Sequence, residues 1–287
     1  MDKQILIDAL PLIESGQKVE LSYTIKNTDR TVGSRLSSRL VTNFKNKSFP
    51  ENHIKIKLRG SAGQSLGAFG VKGLKFEVIG DCNDYVGKGL SGATISVRPP
   101  VASDLISNEN TIVGNTVLYG ATSGYLFAAG QAGERFSVRN SGATAVVEGA
   151  GTNACEYMTG GCSVILGEVG DNFAAGMTGG MAFVYDLKDN LENVINPNSV
   201  IWQKVETKYW LDFLCTILEK HIEETASEYA KKILFDWELS KKDFYQICPK
   251  EMIGKLDHPI SLKEPEKKSC LVILNYSVSV LGCLPNI

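Results

Sequence analysis

Ser141-Gly142-Ala143-Thr144-Ala145, Thr159-Gly160-Gly161-Cys162-Ser163 and Thr178-Gly179-Gly180-Met181-Ala182 decide the fold class, because the same short phrase returns after 18 and then 19 residues. Earlier copies read Lys72-Gly73-Leu74-Lys75-Phe76, Ser91-Gly92-Ala93-Thr94-Ile95 and Ser123-Gly124-Tyr125-Leu126-Phe127. The anchor glycines Gly73, Gly92, Gly124, Gly142, Gly160 and Gly179 are therefore spaced by 19, 32, 18, 18 and 19 residues. The long interval holds Arg98-Pro99-Pro100 through Asn110, which reads as a loop inserted into one repeat.

Of the 28 glycines, 24 lie between Gly60 and Gly180. That density opposes helix, where each glycine costs about 1 kcal/mol relative to alanine. The interleaved Val, Ile, Phe and Tyr oppose a disordered linker. A period of 18 or 19 is too short for a helix pair or a propeller blade. It suits one coil of a parallel β-helix, short strands joined by sharp turns, with glycine supplying positive φ at each corner. Six coils stacked at about 4.8 Å would span about 29 Å. No coil buries its apolar side alone, so the stack must be cooperative. A leucine-rich repeat is the nearest rival, but its leucine–asparagine ladder is absent.

Outward from the repeats, Ile5 to Ile13 has helical spacing and Gly16 stands at the C-cap position. Val19 to Ile25 reads as a strand. Asn27 or Asp29 is expected to cap a second helix with Val32, Leu36, Leu40, Val41 and Phe44 on its apolar face. Ile54, Ile56 and Leu58 alternate with lysines, as in a half-exposed strand. Beyond the repeats, Val205, Tyr209, Trp210, Phe213, Leu214, Ile217 and Leu218 share one helix face. Thr225-Ala226-Ser227-Glu228 reads as a capping box for a further helix containing Ile233, Leu234 and Trp237. The expected division is an N-terminal helix/strand cap (1–59), a glycine-repeat solenoid (60–186), a C-terminal helical cap (187–255) and a tail (256–287). Both sets of helices are expected to cover the ends of the stack, where bare strand edges invite aggregation.

A formal net charge of −2 gives no pull toward nucleic acid or anionic membrane. No run approaches the ~20 apolar residues of a membrane span, and the N-terminus lacks a secretory signal. The seven cysteines are scattered and odd in number, as in a cytoplasmic protein with reduced thiols. Gly149-Ala150-Gly151-Thr152-Asn153-Ala154 fits G-x-G-x-x-A, but another glycine corner follows in place of a helix. Asp81, Asn83 and Asp84 suit a turn better than a calcium loop. Cys155 reads as a small buried hydrophobe, and His53, His221 and His258 as surface or capping residues. No catalytic, cofactor-binding or metal-binding residue is expected.

The corners, read with their flanks, resemble the GXGXG domain at the C-terminus of the glutamate synthase large subunit. The segments that carry the resemblance are Asn27-Thr28-Asp29-Arg30-Thr31-Val32-Gly33, Gly60-Ser61-Ala62-Gly63-Gln64-Ser65, Asn83-Asp84-Tyr85-Val86-Gly87-Lys88-Gly89 and Gly114-Asn115-Thr116-Val117-Leu118-Tyr119-Gly120. Cys155-Glu156-Tyr157-Met158-Thr159-Gly160-Gly161 and Asn172-Phe173-Ala174-Ala175-Gly176-Met177 continue it. The resemblance covers about residues 1–255 and stops beyond Leu256. It departs at Thr152-Asn153-Ala154, where many relatives have histidine.

This resemblance implies a mainly β fold, a right-handed single-stranded parallel β-helix with flanking α-helices, and an architectural role. In that family, the amide nitrogen of glutamine passes as ammonia to 2-oxoglutarate. The chemistry uses an N-terminal cysteine nucleophile, FMN and an iron–sulfur cluster, all held by other domains. Here Met1-Asp2 replaces that cysteine, and Cys155 and Cys162 are a pair too few for a cluster. The partners implied are the amidotransferase and FMN-binding domains or subunits. Rival readings are a structural subunit of another redox complex (related domains occur in formylmethanofuran dehydrogenase), a non-functional gene remnant, and a polysaccharide-acting β-helix. The sparse charge of residues 114–180 disfavours the last.

Overall fold

The computed structural model describes residues 1–44 and 49–261. It is mostly sheet, with helices before and after. The strands are β1 (Val19–Ile25), β2 (Ile54–Ala62), β3 (Leu74–Cys82), β4 (Ser91–Arg98), β5 (Thr111–Val113), β6 (Ser123–Ala128), β7 (Gln131–Ala132), β8 (Ser141–Val147), β9 (Thr159–Ile165), β10 (Gly179–Tyr185), β11 (Val200–Lys204) and β12 (Phe244–Pro249). The helices are α1 (Asp2–Glu14), α2 (Ser34–Asn43), α3 (Leu191–Val194), α4 (Lys208–Thr225), α5 (Glu228–Phe235) and α6 (Trp237–Ser240). The run Leu271 to Leu281 lies outside the described residues.

The principal sheet takes its strands in chain order, β1-β2-β3-β4-β6-β8-β9-β10, every pair parallel. Each repeat thus contributes one strand beside that of the preceding repeat. The register aligns side chains into columns, and Ile56, Phe76, Ile95, Leu126 and Ala145 are partners in succession. So are Leu58, Val78, Val97 and Ala128. All nine side chains are fully buried and form one continuous core. A shorter second ladder runs alongside, through Cys82, Val113, Ala132, Ala150 and Val169.

The ladder starts earlier than the glycine repeat. Strand β1 pairs with β2 over its whole length, and β2 with β3, so Val19–Ile25 and Ile54–Ala62 are strands of the principal sheet. Their outer faces are wet, and Lys57–Glu20 and Lys55–Glu77 ion pairs cross between strands at 2.5 and 2.7 Å. From β6 onward the outer face is apolar too. Phe127, Val146, Val164 and Phe183 form a column there, and α4 covers it with Leu214, Ile217 and Leu218. Strands buried on both faces read as continuous apolar runs, as Ala145 to Val147 and Met181 to Tyr185 do. Helix α4 therefore lies against the flank of the sheet. At the C-terminal end of the interior, Leu191 and Ile195 join the core instead. The region 187–255 also supplies two strands, β12 antiparallel to β10 and β11 antiparallel to β12.

Several caps differ in detail from expectation. Gly16 does end α1: at φ +76°, its N–H donates to Ile13 O (3.1 Å) and that of Gln17 to Leu12 O (2.9 Å), a Schellman motif. Asn27 and Asp29 do not cap α2. Its N-cap is Gly33, whose N–H donates to Asp2 Oδ1 at 2.6 Å, placing a carboxylate at the positive helix end. Val41 is exposed. The cap of α5 is Ser227 and not Thr225, which turns its hydroxyl back to His221 O at 2.6 Å.

Candidate interaction site

The six anchor glycines each sit within one residue of the starts of β3, β4, β6, β8, β9 and β10. Only Gly73, Gly92 and Gly124 have positive φ. The reason at Gly142, Gly160 and Gly179 is close backbone approach. A Cβ would lie 2.0 Å from Thr122 O at Gly142, 2.4 Å from Ser141 O at Gly160 and 2.0 Å from Thr159 O at Gly179. These glycines let successive repeats come together where a β-carbon would hold them apart.

Positive φ concentrates instead on a third side of the repeat, in segments the sequence does not mark by residue type. Ser65, Gly67 and Phe69 share it, as do Tyr85, Gly87 and Gly89, then Thr116, Leu118 and Gly120. Arg135, Ser137 and Arg139, then Asn153, Cys155 and Tyr157, then Asn172, Ala174 and Gly176 complete the series. Every triplet has a positive-φ residue at alternate positions, and from Thr116 onward the triplets recur at 19, 18 and 19 residues. The backbone N–H groups then point alternately to the two neighbouring repeats. Arg135 N and Arg139 N donate forward to Thr152 O (2.8 Å) and Glu156 O (2.9 Å), while Ser137 N donates back to Val117 O (2.9 Å). This hydrogen bonding joins repeats as a sheet does, with alternate residues held in a left-handed conformation. A non-glycine residue there carries about 1–2 kcal/mol of strain. Its repetition at one place in each repeat shows that the surrounding bonds outweigh it.

The motifs singled out from the sequence fall into this scheme. Asn153 and Cys155, within and just after the G-x-G-x-x-A match, are rungs of the third side, and Ala150 bridges Ala132 and Val169. Asp81 accepts from Ser61 Oγ (2.9 Å), Asp84 N donates to Asn83 Oδ1 (2.7 Å), and Asp84 Oδ1 accepts from Asn115 N (2.8 Å), so these groups join turns of adjacent repeats. Burial pushes the Cys155 thiol up to about 12 and that of Cys248 up to about 11, and raises Cys82 and Cys162 as well. Such thiols are protonated at neutral pH and are poor nucleophiles. Among the described residues no group of three or more His, Cys, Asp or Glu side chains is placed to hold a metal ion.

The histidines separate. His53 stacks on Phe49 at 5.6 Å between ring centroids and His258 on Tyr209 at 3.5 Å. His221 is neither a surface nor a capping residue. It is fully buried on α4, beside Phe127, with Nε2 3.6 Å from Glu148 Oε1. Glu148 follows β8 and is also buried. Ser227 completes this node: its hydroxyl donates to Glu148 Oε1 and accepts Ala230 N at 3.0 Å, so one side chain caps α5 and ties it to the sheet. No sequence signal joins residues 79 positions apart. A lone glutamate in the apolar surroundings of Ala145 to Gly151 is the one hint available.

Three observations now point the same way: one strand per repeat, glycines at close approaches, and a left-handed triplet in each repeat. The model of the GXGXG motif family matches residues 2–250. The chain belongs to the GXGXG family. It is 59% identical to the glutamate synthase [NADPH] large chain of Azospirillum brasilense, over 91% of this chain and 17% of that one. It is 43% identical to the glutamate synthase [NADH] of Schizosaccharomyces pombe, over 93% of this chain and 13% of that protein. It is 47% identical to the ferredoxin-dependent glutamate synthase of Pyropia yezoensis, over 87% and 16%. This GXGXG chain thus spans less than a fifth of the length of these relatives. No described helix is long and apolar enough to cross a membrane.

Proposed function

We propose that this chain is a non-catalytic scaffold of the glutamate synthase system, working in the cytoplasm. It would pack against the amidotransferase and FMN-binding domains or subunits that turn glutamine and 2-oxoglutarate into glutamate. In this reading the repeats wind as a right-handed single-stranded β-helix. The pairing of each repeat with its neighbours along three sides supports that winding. FMN and the iron–sulfur cluster belong to the partner domains, and no residue of this chain touches a reacting atom.

The observation that carries the reading is where the polar and reactive groups go. Asp81, Asp84, Asn115 and Ser137 bond adjacent repeats, and the thiols of Cys82, Cys155, Cys162 and Cys248 are buried. What the fold offers outward is a rigid wall of fixed spacing, suited to holding other domains in register. Reconstitution tests this. The Azospirillum brasilense large chain without the region matched here should gain glutamine-dependent glutamate formation when this chain is added. Glutamate formation by this chain alone, or no binding to the remainder, would end the proposal.

A further inference from the structure

Strands β8, β9 and β10 deliver Glu148, Glu168 and Asp186 to one end of the sheet. Together with Lys188, with Glu109 from the inserted loop and with Tyr229 of α5, they line a cavity of about 450 Å³. The local charge is strongly negative. Lys188 pairs with Glu168, and Asp186 Oδ2 accepts Leu191 N at 2.7 Å. Glu148 is left incomplete. Its Oε1 takes the Ser227 hydroxyl, but Oε2 is buried without a hydrogen-bond partner among the described residues. A buried acceptor left unsatisfied is destabilising, more so when charged, so a donor at this point would be strongly retained.

Exposed aliphatic side chains lie next to this cavity. Asn108 and Tyr229 also line a neighbouring cavity of about 500 Å³ formed by α5 and the inserted loop. On that loop Val101, Leu105 and Ile106 are 92, 55 and 55% exposed, and Leu187 beside the acidic cavity is 63% exposed. An acidic socket bordered by exposed aliphatic side chains matches a protein segment carrying a cation between apolar neighbours. The anatomy is that of an interface core, in which a charge is anchored within an apolar surround.

We propose that this socket docks an arginine side chain from the remainder of a glutamate synthase polypeptide, with Ile106 and Leu187 packing against the residues that flank it. Arginine fits better than lysine because its planar fork offers several N–H donors to carboxylate oxygens and a face to Tyr229. The inference rests on the scaffold reading above, which supplies the partner. Most of such a polypeptide lies outside the region matched here, since this chain covers 13–17% of the three relatives.

The test is binding of the full chain to the Azospirillum brasilense large chain lacking its matched region, measured by calorimetry at several salt concentrations. Glu148→Gln, Glu109→Lys and Ile106→Asp should each weaken binding at least tenfold, the first two with a shallower salt dependence. Ile106 is exposed, so its variant folds whatever happens at Glu148. Glu20→Gln, on the wet face of β1, should bind as the parent does. If the parent binds and neither Glu109→Lys nor Ile106→Asp weakens it, the socket is not the docking site, although the scaffold reading survives. If the parent does not bind, both are lost.

Discussion

Gly142→Ala separates two explanations for the repeated glycines. Gly142 does not have positive φ, so alanine meets no backbone penalty there. Its Cβ would nevertheless lie 2.0 Å from Thr122 O and 2.9 Å from Thr122 C, where ordinary contact begins near 3.4 Å. Strand β8 must then move away from the preceding repeat by more than 1 Å. That displaces the Ser141 N to Ala121 O bond (2.8 Å) and disturbs the bracket made by buried Asn140, which holds Gly142 N at 3.2 Å and Ala143 N at 2.9 Å. Losing two or three such bonds at about 1 kcal/mol each, with a buried amide left unsatisfied, amounts to about 3–5 kcal/mol. For a domain of this size, that lowers Tm by about 10 °C. Gly120 is the control, because it has φ +65° and nothing within 4 Å of an added Cβ. Gly120→Ala should lose only about 1–2 kcal/mol from the left-handed conformation. Thermal and urea unfolding of both variants by circular dichroism decide the matter. If Gly120→Ala proves the more destabilised, the glycines serve turn conformation and the close-approach argument is wrong.

Thr116 is β-branched at φ +59° on the left-handed side, so Thr116→Gly should raise stability by up to about 1 kcal/mol, read as a higher urea midpoint. Lys75 Nζ and Glu224 Oε2 meet at 2.5 Å, both largely buried, and tie β3 to α4. Lys75→Met should cost about 3 kcal/mol by stranding the carboxylate, and adding Glu224→Leu should restore most of it. Burial, helped by neighbouring Tyr185 and Glu148, raises Tyr229 from 10.0 to about 12. The folded state therefore holds this proton more tightly than the unfolded one. Its contribution is complete below pH 10 and is lost as pH rises toward 12. Tyr229→Phe should flatten the fall in stability across that window, as measured by urea titration at each pH.

The principal ladder was legible because its strands repeat a recognisable phrase, and the inserted loop was legible because it breaks the interval. Val19 to Ile25 and the strand at Ile54 were legible as strands, but not as the first rungs of the same ladder, since they carry no corner glycine of the repeated kind. Strand β12 was missed within an expected helical tail. Phe244-Tyr245-Gln246-Ile247-Cys248 ending at Pro249 has aromatic and β-branched content that could have signalled it. The flank position of α4 was hidden for a different reason. Its apolar stripe says that it packs, but only the pairing of Phe127 with Val146 and Val164 with Phe183 reveals a second buried face to receive it.

The left-handed triplets show why conformation can repeat where composition does not. At the final place of the triplet stand Phe69, Gly89, Gly120, Arg139, Tyr157 and Gly176. Two of the large side chains exploit an adjacent glycine: a Cβ on Gly89 would lie 2.6 Å from the Phe69 ring, and one on Gly176 would lie 2.6 Å from the Tyr157 ring. Glycine in one repeat thus makes room for an aromatic residue in the one before it, and the strain at the aromatic position is offset by packing as well as by the inter-repeat hydrogen bonds. The side chain that fits at one position thus depends on the residue in the neighbouring repeat. A glycine count therefore understates the repeat. The same logic explains the buried Glu148–Ser227–His221 node, whose members lie on β8's extension, α5's cap and α4. Such contacts join segments far apart in sequence and become visible only once the segments are assembled.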